Sequence, residues 1–416
     1  MDHALAAAVR RGDAEQVRTL LDDGADPDTP DPESGLPLLC TAVAAYEEPV
    51  AEALRAAGAD ALRPLPDGST PLLRALDSGS PWLTLAVLPD RAAYPGPLRE
   101  QLLERARHWA RTGAEAELRR RTGLTEPAVR TRLHDTTGCW YERLELGGLA
   151  LHDGHLATLT VLETRFGLRV PFDELMARAL AYPDRGHLVW SQVMHQLGRR
   201  PNERTWAAAT RLSESPDPLL RLFAADVLLS LVIGDVGRGR DSYAGRAGQL
   251  APWALREPDP AVLDVLLNAL TWADGPEIQA VGLACRAHPD PRIRAWVPNL
   301  LSAGEALGAG GLAAVRVLAR DPDAGVRASV CHWLCHQGSG ESAVPGIGDM
   351  LWDLSRDERQ RIRIHAVAGL ANRDDPRCVE AEARIGPLEE GLADEHLPLQ
   401  AVWHYRRRRE EQRGGG

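Results

Sequence analysis

The stretch HPDPRIRAWVPNLL, residues 288–301, returns as DPDAGVRASVCHWLCHQ, residues 321–337. In each, a Pro-Asp turn opens an apolar-periodic run that carries a hydrophobic-Arg pair. Asp290 and Asp323 lie 33 positions apart, and so do Arg294 and Arg327. A fixed period of this length marks stacked supersecondary units. The pattern extends both ways. EPDPAVLDVLLNAL starts at Glu257, SPDPLLRLFAADVLLSL at Ser215 and YPDRGHLVWSQVMHQL at Tyr182. Downstream, Ile362 and Arg363 follow Val326 and Arg327 by 36 positions.

Each copy has a physical reading. Proline fixes φ and lacks an N–H, so it suits a turn or the first helical position. The adjacent Asp can accept from the orphan donors of the helix start. The helix then places Val326, Val330, Cys331 and Leu334 on one face, or Ile362, Ala366, Val367 and Leu370 in the next copy. One hairpin cannot bury that face alone, whereas a stack of them makes a continuous core.

With these copies in view, residues from about 180 to 385 resemble HEAT repeats, the run from Asp321-Pro322 through Val326-Arg327 to Val330 matching the repeat motif most fully. The resemblance implies an α-solenoid that holds a partner on one face. It also implies that Arg294, Arg327 and Arg363 join an Arg–Asp ladder between repeats. The N-terminal region repeats with other punctuation. VRTLLDDGADPD and VAEALRAAGADA close two units, with Gly24 and Gly58 34 positions apart. Thr70-Pro71-Leu72-Leu73 opens a third. Residues of about 3–88 resemble ankyrin repeats, although Leu39 and Leu73 stand where that motif carries His and the third copy lacks its closing Gly-Ala-Asp.

The middle is less regular. ELRRRTGLTEPAVRTRL, residues 117–133, resembles a helix-turn-helix, with a second helix expected from near Thr125. LELGGLAL, residues 144–151, alternates around Gly147-Gly148 and predicts a β-hairpin. Together they could form a winged DNA-binding module, with Arg119, Arg120, Arg121, Arg130 and Arg132 on phosphates. The bland reading is a helical adaptor whose arginines are solvated or paired with Glu.

Composition bounds the function. The 416 residues contain 48 basic groups, all Arg, and the net charge is −11. Without lysine there is no Walker-A, Schiff-base or general-base Lys. The exclusive use of Arg suggests a GC-rich, actinobacterial coding source. Acidity argues against general nucleic-acid binding. No run approaches the roughly 20 apolar residues of a membrane helix, the start does not read as a signal peptide, and six scattered Cys suit reduced thiols, so a cytoplasmic location is expected.

Candidates for chemistry are sparse. Cys331, His332, Cys335 and His336, with Cys285 from a neighbouring copy, are the most metal-like group, yet Cys331 falls in a core slot of the helix. His134-Asp135 and His152-Asp153 with His155 resemble the doublets of a metal-dependent phosphohydrolase, without its further ligands. The chain has eleven Trp, among them Trp253, Trp272, Trp296, Trp333 and Trp352 in the repeat array, and this suggests comparison with HEAT-like DNA glycosylases, which are basic where this chain is acidic.

The expected fold is all-α: an α-solenoid of ankyrin-like then HEAT-like helical hairpins, with one short β-hairpin near 143–152. The expected divisions are 1–90, an adaptor over 91–180, the array over 181–385 and a C-terminal helix with a disordered tail over 386–416. The expected function is a non-catalytic scaffold that needs no cofactor and no metal. It would bind a partner protein or peptide through exposed Trp296, His332, His336 and His365, with DNA binding by 117–133 as the alternative.

Overall fold

The computed structural model describes residues 2–89, 95–200, 203–237, 244–303, 307–337, 346–392 and 396–414. It divides into two compact units, Met1–Arg200 and Pro201–Gly416. Both are built mainly from helical hairpins.

The first unit opens with three hairpins: α1 (Asp2–Arg10) with α2 (Ala14–Asp22), α3 (Leu38–Ala45) with α4 (Glu48–Ala56), and α5 (Pro71–Asp77) with α6 (Pro81–Val87). Their first helices pack in one row, α1 on α3 on α5, and their second helices in another, α2 on α4 on α6. The sequence explains the punctuation. Thr70 and Ser80 accept the N–H of Leu73 and Leu83, both at 3.2 Å, and each precedes a Pro at the first helical position. Gly24 and Gly58 close the second helices at φ 92° and 104°, where a side chain would be strained. Asp28 links consecutive hairpins by accepting the N–H of Asp60 at 2.9 Å.

Two helices follow, α7 (Gly96–Thr112) and α8 (Ala114–Thr122), then an antiparallel sheet of β1 (Val129–His134), β2 (Trp140–Leu146) and β3 (Leu149–His152), in the order β1-β2-β3. The predicted hairpin is β2–β3. Its turn is Gly147-Gly148, both at positive φ, and Leu146 pairs with Leu149. The expected second helix of a helix-turn-helix is instead strand β1. Arg130 and Arg132 therefore lie on an antiparallel ladder with β2, paired in register with Leu144 and Glu142. The unit ends with α9 (His155–Arg165), α10 (Phe172–Leu180) and α11 (Leu188–Gly198). Helix α11, read from sequence with the C-terminal array, packs here against α9 and α10.

The second unit runs α12 (Glu203–Arg211), α13 (Pro218–Val236), α14 (Ala244–Ala247), α15 (Ala251–Ala254), α16 (Pro260–Leu270), α17 (Pro276–Cys285), α18 (Pro291–Leu301), α19 (Ala309–Leu318), α20 (Ala324–His336), α21 (Ile347–Leu354), α22 (Gln360–Asn372), α23 (Arg377–Ala383) and α24 (His396–Gly414). Helices α13, α16, α18, α20, α22 and α24 pack one on the next. Asp217, Asp259, Asp290 and Asp323 cap four of them with their carboxylates, as the Pro-Asp signal requires. The expected C-terminal helix is α24, and it continues through the stretch from Tyr405, read from sequence as a frayed end and disordered terminus, as far as Gly414. Arg406 pairs with Glu382 and Arg408 with Asp374, which fasten α24 to its neighbours.

Candidate interaction surface

A ladder of ion pairs fixes how the second helices of the C-terminal unit sit on one another. Arg294 sends Nε and Nη2 to Asp321 at 2.8 and 2.7 Å, and Nη1 to the carbonyls of His288 and Pro289. Arg327 repeats this on Asp357 at 2.6 and 3.1 Å, with Nη1 on the carbonyls of Asp321 and Pro322. Arg221 does the same on Glu257. Each acceptor also takes the backbone N–H two residues on, namely Asp259, Asp323 and Arg359. Burial pushes the Asp321 and Asp357 carboxyls up, but the hydrogen bonds from Arg294 and Arg327, the backbone N–H donors and the charges of the adjacent arginines together outweigh it and leave both below the usual range.

Arg363, expected in the ladder, reaches only the carbonyls of Asp357 and Glu358 and has no carboxylate partner among the described residues. Between Arg221 and Arg294 a further rung is absent, and both of its ends differ from the other copies. Leu263 stands in the Arg position and is buried, and His288 stands in the carboxylate position of the next copy. His288 keeps the local task, accepting the N–H of Asp290 on Nδ1 at 3.1 Å. A carboxylate there would have faced Leu263 with no partner.

With the ladder on one side and the apolar residues facing the first helices, each second helix presents one face outward. Helical spacing puts Arg292, Trp296 and Asn299 of α18, Ser329, His332 and His336 of α20, and Arg361 and His365 of α22 on that face. His332 and His336 are exposed, with ring centroids 4.3 Å apart, and His336 Nδ1 lies 2.8 Å from the His332 carbonyl. Burial, with His336 and His365 adjacent, lowers the pKa of His332. His365 is half-buried. Trp296, expected to be an exposed anchor, is also half-buried: its indole N–H is donated to Asp264 Oδ1 of α16 at 2.9 Å. Trp296 therefore joins two copies as well as lining the face.

The other sequence candidates are engaged elsewhere. Arg119 pairs with Glu115, Arg120 and Arg121 with Glu117, and Arg130 with both Glu115 and Glu142. The Arg132 guanidinium lies over the Trp140 ring at 3.9 Å. The hydrogen bond from Arg120 holds the Glu117 carboxyl down to about 2. This is a charge-paired helix and strand, not a basic stripe.

Cys331 and Cys335 face the packed side of α20, with thiols directed at the carbonyls of Ile362 and His365, whereas His332 and His336 face outward. The four cannot converge. Among the described residues no three His, Cys, Asp or Glu side chains are placed to hold a metal.

His152 and His155 are buried in the first unit, and burial holds both down to about 4. His152 stacks on Tyr46 at 3.9 Å and His155 on Trp109 at 4.3 Å. His155 Nε2 reaches the Asp77 carbonyl at 3.1 Å, and Asp77 takes the Arg105 and Trp109 N–H groups at 2.6 Å. Asp153 accepts the Glu142 N–H at 2.8 Å, and Asp135 the Trp82 indole N–H at 3.1 Å. Asp135 and the His152-Asp153 doublet with His155 thus belong to a packed polar core that joins the third hairpin, the sheet and α9, whereas His134 is exposed at the end of β1.

Neither a family model nor a curated protein sequence matches the chain. Among solved structures, that of YibA from Escherichia coli is similar at 15% identity and a TM-score of 0.39, covering 57% of this chain and 93% of its own. An engineered protein is similar at 14% identity and a TM-score of 0.40, covering 96% and 98%.

Proposed function

We propose that the chain is a non-catalytic scaffold that binds a partner protein or peptide on the outward face of α18, α20 and α22. In this reading the C-terminal unit is a HEAT-like array, the N-terminal hairpins are ankyrin-like, and the protein works in the cytoplasm. The observation that carries it is the division of labour along the second helices. The arginines and carboxylates of the ladder hold the stack, the apolar residues form its core, and a continuous strip with exposed His332 and His336 is left over. Aromatic and imidazole groups on a rigid strip suit recognition by shape and hydrogen bonding.

The test is capture of partners by the purified full chain at low and high salt, compared with a His332→Ala/His336→Ala variant. One dominant protein that survives high salt and is lost with the variant, at unchanged melting temperature, supports the reading. Equal loss of binding and of thermal stability counts against it. Release of nucleic acid alone at high salt would move the assignment to the 117–133 segment, against which the pairing of Arg119, Arg120, Arg121 and Arg130 already argues.

A further inference from the structure

A cleft of about 550 Å³ lies in the first unit between α6, α9 and α11. That volume is in the range of small-molecule sites. One wall is apolar, formed by Trp82, Leu85 and Val161. The Trp82 ring is fixed because its N–H is held by Asp135. The facing wall is one side of α11, where Gln192, His195 and Arg199 recur at helical spacing. Arg165 of α9 adds a second guanidinium, and no carboxylate is among the described lining residues. Two described acids nearby are already engaged. Asp135 also accepts from Thr137 and Cys139, and Glu163 is buried in an ion pair with Arg178 at 2.6 Å.

The Gln192 amide of α11 is the decisive observation. Gln192 is only 8% exposed and opens onto the cleft, yet its side chain makes no hydrogen bond to another described residue. One turn on, Gln196 is 1% exposed and neither its amide nitrogen nor its oxygen has a partner. Native proteins keep few unpaired amides in largely buried side chains. Gln196 does not line the cleft, so the Gln192 amide, which opens into it without a partner among the described residues, is the group that marks a place completed by something else.

We propose that this cleft binds a small amphipathic carboxylate, its apolar body against Trp82, Leu85 and Val161 and its carboxylate received by the Arg199 guanidinium and the Gln192 amide. This site is independent of the strip on the second unit. The geometry suits the ligand class on both counts: a rigid aromatic wall for the body, and the Arg199 and Gln192 donors for the head.

Calorimetric titration of the full chain with 2-naphthoate and with its neutral counterpart 2-naphthalenemethanol tests it. The acid should bind saturably at one site, and the alcohol about tenfold more weakly or worse, the factor expected of a charge-assisted hydrogen bond. Arg199→Gln and Gln192→Leu should each weaken the acid about tenfold. The second should leave the melting temperature unchanged, since the Gln192 amide has no partner among the described residues to lose. Val161→Trp, which fills the cleft, should abolish binding of both. Failure of the acid to saturate the full chain, equal affinity for acid and alcohol, or an acid affinity indifferent to Arg199→Gln would each overturn the proposal.

Discussion

Arg327 and its acceptor Asp357 show what a single rung does. The guanidinium is held on five sides: the Asp357 carboxylate by two nitrogens, Glu358, and the carbonyls of Asp321 and Pro322. Removing one partner of a buried pair leaves an uncompensated charge, at about 3–5 kcal/mol. Arg327→Ala should therefore destabilise the second unit by that amount in denaturant titration, and Arg327→Ala with Asp357→Ala by clearly less. The changed rung makes the reverse prediction. His288→Asp alone should destabilise, because the new carboxylate faces Leu263, and adding Leu263→Arg should recover most of the loss. A double-mutant cycle that shows no coupling between the two positions would refute the co-substitution argument.

At the scale of elements, the junction of α5, the sheet and α9 depends on close approach. A Cβ at Gly79 would stand 2.1 Å from the His152 carbonyl oxygen, and Gly79 has a φ of 77°. Gly79→Ala should cost on the order of 3 kcal/mol or more, since overpacking is compounded by a left-handed backbone. The same junction sets a pH dependence. His152 and His155 titrate near 4 when folded and near 6.5 when unfolded. The unfolded chain binds these protons first, so stability is fully present above about pH 6.5 and is lost as pH falls toward 4, by up to about 3 kcal/mol for each group. Thermal melts of the first unit between pH 8 and 4 check this, and a flat profile through that window would contradict the buried neutral assignment.

These elements also show what could be read in the chain and what could not. The Pro-Asp starts gave the helix caps and Gly147-Gly148 gave the turn, because each signal is local backbone chemistry. Val129-Arg130-Thr131-Arg132-Leu133 alternates with period two, which is a strand signal. It was masked by the Arg-rich helix before it, and its partner strand β2 begins several residues earlier than the expected hairpin. The outward face of α18, α20 and α22 followed from spacing, but the tilt of Trp296 onto Asp264 needs the inter-helix distance. The cleft was not legible at all. Its walls come from residues near 82, 161 and 192, and an unpaired amide is a property of surroundings, not of sequence.

On the scale of the whole molecule, the division at Arg200 separates two cores with different joints. The first is held by aromatic stacking, buried imidazoles and the Arg178–Glu163 pair, the second by the ladder. Fragments 1–200 and 201–416 should each unfold cooperatively when expressed alone. Acid should weaken the first from about pH 6.5 downward. In the second, Asp321 and Asp357 have lowered folded values, so their contribution is present above the ordinary carboxylate range and is lost only as pH falls through the lower folded values. Circular dichroism melts of the two fragments across pH would reveal this difference in order.

The Leu263–His288 joint has a consequence for how such an array can evolve. Copies whose helix offers Arg and whose turn offers a carboxylate are interchangeable parts: any one can be duplicated, deleted or moved, and the new junction still mates. The helix bearing Leu263 and the turn bearing His288 lack that common fitting. They must be inherited as a pair, so recombination that breaks the array between residues 263 and 288 is penalised while recombination at the Arg294–Asp321 or Arg327–Asp357 junctions is not.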